Sequence, residues 1–258
     1  QTVFLPLSFA NGTSWVTLSG GTHVQWSPIF HYIQEHWLPI MKSLGFRLDL
    51  RLTQSGFFPR GGGEAMLKVL PVQMLSPYCC TDRGNLVSIR GFSGVANLEE
   101  SIAKRQKHQA LKRLYAICRD SKIKITHLAS TGKGTFILLK ANFGSCGSAC
   151  FSALGSPGKP AERVADEAVD QLLNFLTTQG CVDQYLADQL LLPLSVTEGV
   201  SEFRTNLITR HLLTNAHVIQ QFIPAAIKIE GEIGKPGIVS LRGTSCRTVN
   251  NPMPDSAS

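Results

Sequence analysis

The sequence predicts a folded chain of mixed α and β structure, of the α/β (α+β) class, and three observations carry that expectation. Phe46-Arg-Leu-Asp-Leu-Arg-Leu52 alternates apolar and polar residues with a period of two, as a half-buried strand does. Ala161 to Thr178 places Val164, Ala165, Ala168, Val169, Leu172, Leu173 and Leu176 on one helical face. Elements of both kinds interleave along 258 residues that are 43% hydrophobic and 17% charged, enough apolar surface for one or two cores and too little charge for disorder.

Gln1 to Ala10 is an apolar run with nothing basic before it and no small-residue cleavage site after it, so it does not read as a signal peptide. A chain that starts inside a larger domain accounts for it. Ser14 to Leu18 reads as a strand and Ser19-Gly-Gly-Thr22 as a tight turn. Pro28 opens a helix whose stripe runs from Ile29 through Tyr32, Ile33, Trp37, Ile40 and Met41 to Leu44, and Pro39 should kink or shorten it. The strand at Phe46 is joined to a second one, through Ala65, Leu67 and Val69, by a glycine-rich hairpin connection, Gly56 to Glu64.

Near Cys79 to Arg83 the composition shifts and a new unit begins. A short strand at Asn85 to Arg90 precedes a helix from Leu98 to Cys118, then strands at Ile123–Leu128, Thr135–Ala141 and Ala149–Leu154, then the amphipathic helix, capped by Gly180. Asp183 caps a helix from Gln184 to Leu192 that Pro193 stops. Val200 to Thr205 is strand-like, His211 to Phe222 helical up to Pro224, and Ile227/Ile229 and Val239/Leu241 mark two closing strands. Asn250 to Ser258 reads as a disordered polar tail. No apolar run reaches the roughly 20 residues of a membrane helix.

The net charge of +7 suits a polyanionic partner. Eight cations lie between Lys104 and Lys124, opposed within that stretch only by Asp120, and read either as a solvated face or as an RNA groove. Seven cysteines, one adjacent pair among them and no regular framework, predict free thiols in a reducing compartment, hence a cytoplasmic or, in a eukaryote, nuclear protein. Cys146 and Cys150 lack a second pair at zinc-ligand spacing.

The Gly-Lys pairs at 132, 158 and 234 are followed by Gly134, Pro160 and Pro236, so no Walker loop with its magnesium-binding hydroxyl is present. Gly61-Gly62-Gly63 reads as a turn, with Arg60 beside it in reach of a phosphate. His211 stands where a helix begins after a polar loop, a position used for surface or capping more often than for catalysis. Tyr185 and Asp188 share a helix face at i,i+3, while His217, six residues past His211, does not share its face.

Ser19-Gly-Gly-Thr22, Gly56-Phe-Phe-Pro59 with Gly61-Gly-Gly63, Arg83-Gly-Asn85, Tyr185-Leu-Ala-Asp-Gln189 and His211-Leu-Leu-Thr-Asn215 occur in this order. Together they resemble the RNA 3′-terminal phosphate cyclase family, from Gln1 to about Leu241. The resemblance implies a large domain of repeated two-helix, four-strand units, here 1–81 and 179–249, interrupted by a small thioredoxin-like α+β domain, here 82–178. It implies an ATP-dependent reaction with Mg²⁺ or Mn²⁺, in which an RNA with a 3′-phosphate end becomes a 2′,3′-cyclic phosphate through a covalent histidine–AMP.

By position, His211 matches the nucleophile, and Pro28 and Tyr185 match the residues that sandwich adenine. Asp188, Gln189 and Gln1 match polar groups of the nucleotide site. The match departs from the family at His23-Val-Gln-Trp26, where small polar residues are usual, and the family's N-terminal portion, which holds a Gly-rich loop, an acidic metal ligand and phosphate-binding arginines, has no counterpart here. Two other readings are a non-catalytic, cyclase-like protein of ribosome assembly, whose branch lacks the motif histidine, and a transferase related to the enolpyruvyl transferases.

Overall fold

The computed structural model describes residues 2–244, so Gln1, Cys246 and the tail at 250–258 lie outside the described residues. The chain builds three sheets flanked by helices, with strand orders β1-β3-β2, β10-β11-β9-β4 and β6-β5-β7-β8. Strands β1 (Ser14–Gly20), β2 (Arg47–Gln54) and β3 (Gly63–Leu70) form the first, fully antiparallel. The alternation seen in the sequence sets its register: Leu48 and Leu50 face inward with Ala65, Leu67 and Val69, opposite solvated Arg47 and Arg51.

Helix α1 (Phe4–Ser8) closes this layer from the N-terminal side, with Phe4 edge-on to Trp37 and Phe46. The Pro28 stripe forms a helix from α2 (Phe30–Tyr32) through a π-helical turn (Ile33–Trp37) into α3 (Leu38–Ser43). Pro39 does not stop it. Proline has no N–H to offer the carbonyl four residues back, and that carbonyl, Glu35 O, instead accepts from Lys140 Nζ at 2.7 Å.

The glycine-rich connection packs against the Ser-Gly-Gly-Thr turn. Gly61 and Gly62 take φ of 63° and 69°, and a Cβ on Gly56 would lie 2.4 Å from Gly20 O. Only glycine fits such contacts without strain. The Gly56 carbonyl accepts from the Thr22 and His23 amides, both at 3.0 Å, and Arg60 Nη1 donates to Thr131 O at 3.0 Å, which engages the guanidinium considered for a phosphate.

A two-residue strand, β4 (Cys79–Cys80), leads into the third sheet: β5 (Leu86–Ala96), α4 (Glu100–Leu114), β6 (Ser121–His127), β7 (Gly134–Phe143) and β8 (Ser148–Leu154). The β5–α4–β6 crossover makes the one parallel pair of this sheet. The predicted strand at Asn85–Arg90 is longer than its apolar pattern implied, because β5 is central and its glycines at 91 and 94 lie against Leu138 O and the Phe136 ring. Both faces of this sheet are covered. Ile89, Ile137, Leu139 and Phe151 pack under α4 and α5 (Ala161–Leu176), while Phe136, Leu138 and Cys150 turn toward the core shared with the π turn and the other sheets.

Gly180 does not cap α5, which ends at Leu176 with Thr177 as its C-cap. Arg83 takes carbonyls at and just past its end, donating to Leu176 O, Thr178 O and Gly180 O at 3.2, 2.8 and 2.7 Å, and lies over the Phe143 and Phe175 rings. The basic stretch is likewise met by acids distant in sequence: Arg105 by Glu162, and Arg113 by Asp166 and Asp170.

The second sheet, begun by β4, is completed by β9 (Gly199–Thr205), β10 (Ala226–Glu230) and β11 (Gly237–Gly243), with α6 (Gln184–Ser195) and α7 (Arg210–Phe222) beside them. Pro193 does not stop α6 but sits inside it, with the Thr197 hydroxyl donating to Pro193 O. The expectation of free thiols is corrected at one pair. Cys80 and Cys146, 66 residues apart, are joined by a disulfide with Cα atoms 5.6 Å apart, because β4 and the β7–β8 turn meet there. Cys79, Cys118, Cys150 and Cys181 are free. Among the described residues no helix is long and apolar enough to cross a membrane.

Candidate functional site

The candidate residues gather where α6 and α7 pack side by side. Asp183 starts α6 as predicted, its Oδ1 accepting from the Tyr185 and Leu186 amides at 3.1 and 3.0 Å. Leu186, Ala187, Leu190, Leu191 and Leu194 bury the inner face of α6, which leaves Tyr185 and Asp188 on the outer one. Thr209 caps α7, its Oγ1 accepting from Leu212 N at 3.0 Å. Leu212, Ala216 and Ile219 bury one stripe of α7 and bring His211 and Asn215, four residues apart, beside Asp188.

His211 Nδ1 donates to Asp188 Oδ2 at 2.7 Å, and Asn215 Nδ2 donates to the other carboxylate oxygen, Asp188 Oδ1. The carboxylate is held at both oxygens. It is 16% exposed, whereas the imidazole is 76% exposed. A carboxylate partner fixes the proton on Nδ1 and leaves the Nε2 lone pair facing solvent. His211 is also the second residue of α7, so the helix's free amide groups and Arg210 lie next to it, a setting that favours an anion.

Tyr185 is half-exposed one turn before Asp188, and its ring stands edge-on to Tyr32 at 6.3 Å. Tyr32 donates to Asp183 Oδ1 at 2.8 Å. Through Tyr32 the helix that follows Pro28 is pinned to the start of α6, and Pro28 itself is partly exposed ahead of that helix. Gln189 is partly buried beside Asp188, and its Oε1 is a buried acceptor with no donor among the described residues. Gln1 lies outside the described residues. The structure thus brings His211, Asp188, Gln189 and Tyr185 onto one pair of helices, with Pro28 on the segment that braces it.

Sequence reasoning passed over two parts of this arrangement. Asn215 enters the sequence reading only within the His-Leu-Leu-Thr-Asn motif, although its i,i+4 spacing from His211 marks the same helix face. Asp183 was read only as a cap, yet it is fully buried and also takes the His36 Nε2 at 2.8 Å and the Cys150 amide at 3.1 Å. No sequence signal announces those partners, which come from the π turn and from β8. His23, the residue that departs from the expected pattern, does not enter the site. It is buried, stacks on Phe57 and meets His31 across a 2.8 Å Nε2–Nδ1 hydrogen bond.

Among the described residues no group of three or more His, Cys, Asp or Glu could hold a metal ion. The arrangement offers an accessible imidazole at a helix start and a flat half-exposed phenol on the neighbouring helix.

The comparisons agree with the motifs. The family model for RNA 3′-terminal phosphate cyclase matches residues 1–229. Relatives named RNA 3′-terminal phosphate cyclase include those of Nostoc punctiforme, 37% identical over 89% of this chain and 66% of the relative, and of Methylococcus capsulatus, 38% identical over 94% and 67%. The one from Thermococcus onnurineus is 32% identical over 94% of this chain and 70% of the relative. The chain spans about two thirds of the length of these relatives. On the match of a family model to most of its length and on these identities, the chain belongs to the RNA 3′-terminal phosphate cyclase family.

Proposed function

We propose that this chain carries the nucleotidyl-transfer centre of an enzyme that converts an RNA 3′-terminal phosphate to a 2′,3′-cyclic phosphate at the expense of ATP. The observation that carries the reading is the His211–Asp188–Asn215 chain, which engages Nδ1 and leaves the imidazole 76% exposed. The His211 Nε2 lone pair attacks the α-phosphorus of ATP, the bond to the bridging oxygen breaks and pyrophosphate leaves. The imidazole ring then bears AMP on Nε2 and a proton on Nδ1, and its positive charge is stabilised by the Asp188 carboxylate. The AMP passes to an oxygen of the RNA 3′-phosphate and Nε2 is released. The vicinal 2′-hydroxyl attacks that activated phosphorus, loses its proton to solvent and expels AMP.

Tyr185 and Pro28 offer the adenine apolar surface, and Gln189 stands next to Asp188 on α6 with its Oε1 buried. A divalent cation, Mg²⁺ or Mn²⁺, would supply charge neutralisation for the leaving pyrophosphate, and no metal-ligand cluster for it lies among the described residues. Incubation of the full-length protein with ATP labelled at the α-phosphorus and Mg²⁺ is expected to give an acid-labile, alkali-stable protein–AMP adduct. It is expected to vanish in His211→Asn. An undiminished adduct in that variant would reject the mechanism.

A further inference from the structure

Helix α4 carries two kinds of cation on two faces. Toward α5, Arg105 makes a bidentate pair with Glu162, both contacts at 2.7 Å, and Arg113 holds Asp166 at 3.0 Å and Asp170 at 2.6 Å. Toward β6, Lys104, Lys107, Lys112 and Tyr115 recur at helical spacing along a second face. With Leu111 and Ile125 they line a groove of about 660 Å³ whose lining contains no carboxylate. Lys104 has Glu100 as a partner at 2.7 Å, whereas among the described residues Lys107 and Lys112 have no acidic partner. Tyr115 is 67% exposed at the end of the groove, and β6 is the edge strand of its sheet, so one wall is open along its length.

Structural cations would be expected beside carboxylates, as the arginines of the other face are. Here a helix pitch of about 5.4 Å sets roughly one cation per turn above an apolar floor, with an exposed aromatic ring at the end. That combination, a cationic track with a stacking ring, is what single-stranded nucleic acid uses, because every unit has both a phosphate and a flat base. We propose that the α4–β6 groove binds a single-stranded segment of the RNA, with Lys107 and Lys112 against phosphates and a base stacked on Tyr115. The proposal deepens the functional reading and rests on it for the substrate class. The groove belongs to the core beneath α4 and α5, not to the α6–α7 pair that carries His211.

The test is fluorescence anisotropy of the full-length protein with a labelled single-stranded RNA, bearing either a 3′-phosphate or a 3′-hydroxyl, at two salt concentrations. Lys107→Gln/Lys112→Gln is expected to weaken binding of both RNAs about tenfold at low salt and to flatten the salt dependence by about 1.4 in log–log slope, roughly 0.7 for each phosphate released. Tyr115→Ala is expected to cost about fivefold or more with the slope unchanged. Unchanged affinity and slope in both variants overturns the proposal, and so does equal displacement of the RNA by polyglutamate at matched charge, which would make this a face for an acidic protein. The AMP adduct measured in the same variants separates the two readings. A normal adduct with unchanged RNA binding overturns this inference alone, whereas groove-dependent RNA binding without any adduct in the parent protein leaves it standing and removes the His211 mechanism.

Discussion

At His211 the side chain owes its chemistry to the two residues behind it. Asp188 sets the tautomer, and Asn215 keeps the carboxylate from turning away. Asp188→Asn exchanges a charged acceptor for an amide that can present its NH₂ to Nδ1, which would move the ring proton to Nε2 and block the lone pair. Adduct formation is expected to slow by about a hundredfold or more, with the fold intact by circular dichroism. Asn215→Ala leaves the tautomer alone and loosens only the orientation, so a loss of about tenfold is expected in the same assay. A rate in Asp188→Asn equal to that of the parent would mean that the contact only decorates the surface. The two faces that build this centre were legible in the sequence, since 185/188 and 211/215 are spaced for one helix face each. That the faces meet was not legible, because α6 and α7 are brought together by buried leucines whose partners no local pattern names.

At the scale of elements, Pro39 and Gly180 misled for a shared reason. Each predicts what the backbone loses locally, and in this protein a distant side chain supplies it. Arg83 takes the carbonyls at the end of α5, so no glycine cap is needed there. Lys140, on β7, takes the carbonyl that Pro39 leaves without a donor, so the helix runs on through a π turn. By contrast, strands with strict alternation and the α5 stripe were legible, because their burial pattern is written within the element itself. The Lys140 contact gives a direct check. Lys140→Met leaves Glu35 O without its donor and is expected to lower stability by about 1–2 kcal/mol in urea unfolding. In a Pro39→Ala background the restored N–H can reach that carbonyl, so the same substitution is expected to cost measurably less. Additive effects of the two substitutions would show that Lys140 and Pro39 do not share the carbonyl.

Across the whole molecule, the third-sheet unit is clamped between two apolar cores, and polar groups buried at that seam set how the fold responds to acid. The disulfide from Cys80 to Cys146 and the Asp183 network both lie where segments far apart in sequence converge, which is why neither was visible from residue spacing. His23 and His31 share the seam, against Phe57, Phe92 and Phe136. Burial, and for His23 the neighbouring His31, pushes their pKa down to about 3 and about 4. The 2.8 Å bond between them also needs one ring nitrogen to accept, which a proton there would forbid. In the unfolded chain both rings titrate near 6.5. Between that value and about 4 the unfolded state therefore binds more protons, so stability rises with pH through this window and is lost as pH falls. From pH 7 to pH 5 each ring is expected to remove about 2 kcal/mol, measured as the shift of the urea midpoint at constant slope. The paired carboxylate of Glu162, held down at about 2 by Arg105, titrates below this window and does not contribute to it. His31→Phe deletes one titrating ring and the acceptor it offers. The variant is expected to be less stable at pH 7 yet to lose only about half as much between pH 7 and pH 5. A parent whose midpoint does not move over that interval would show that the two rings remain solvated and are not packed as the structure has them.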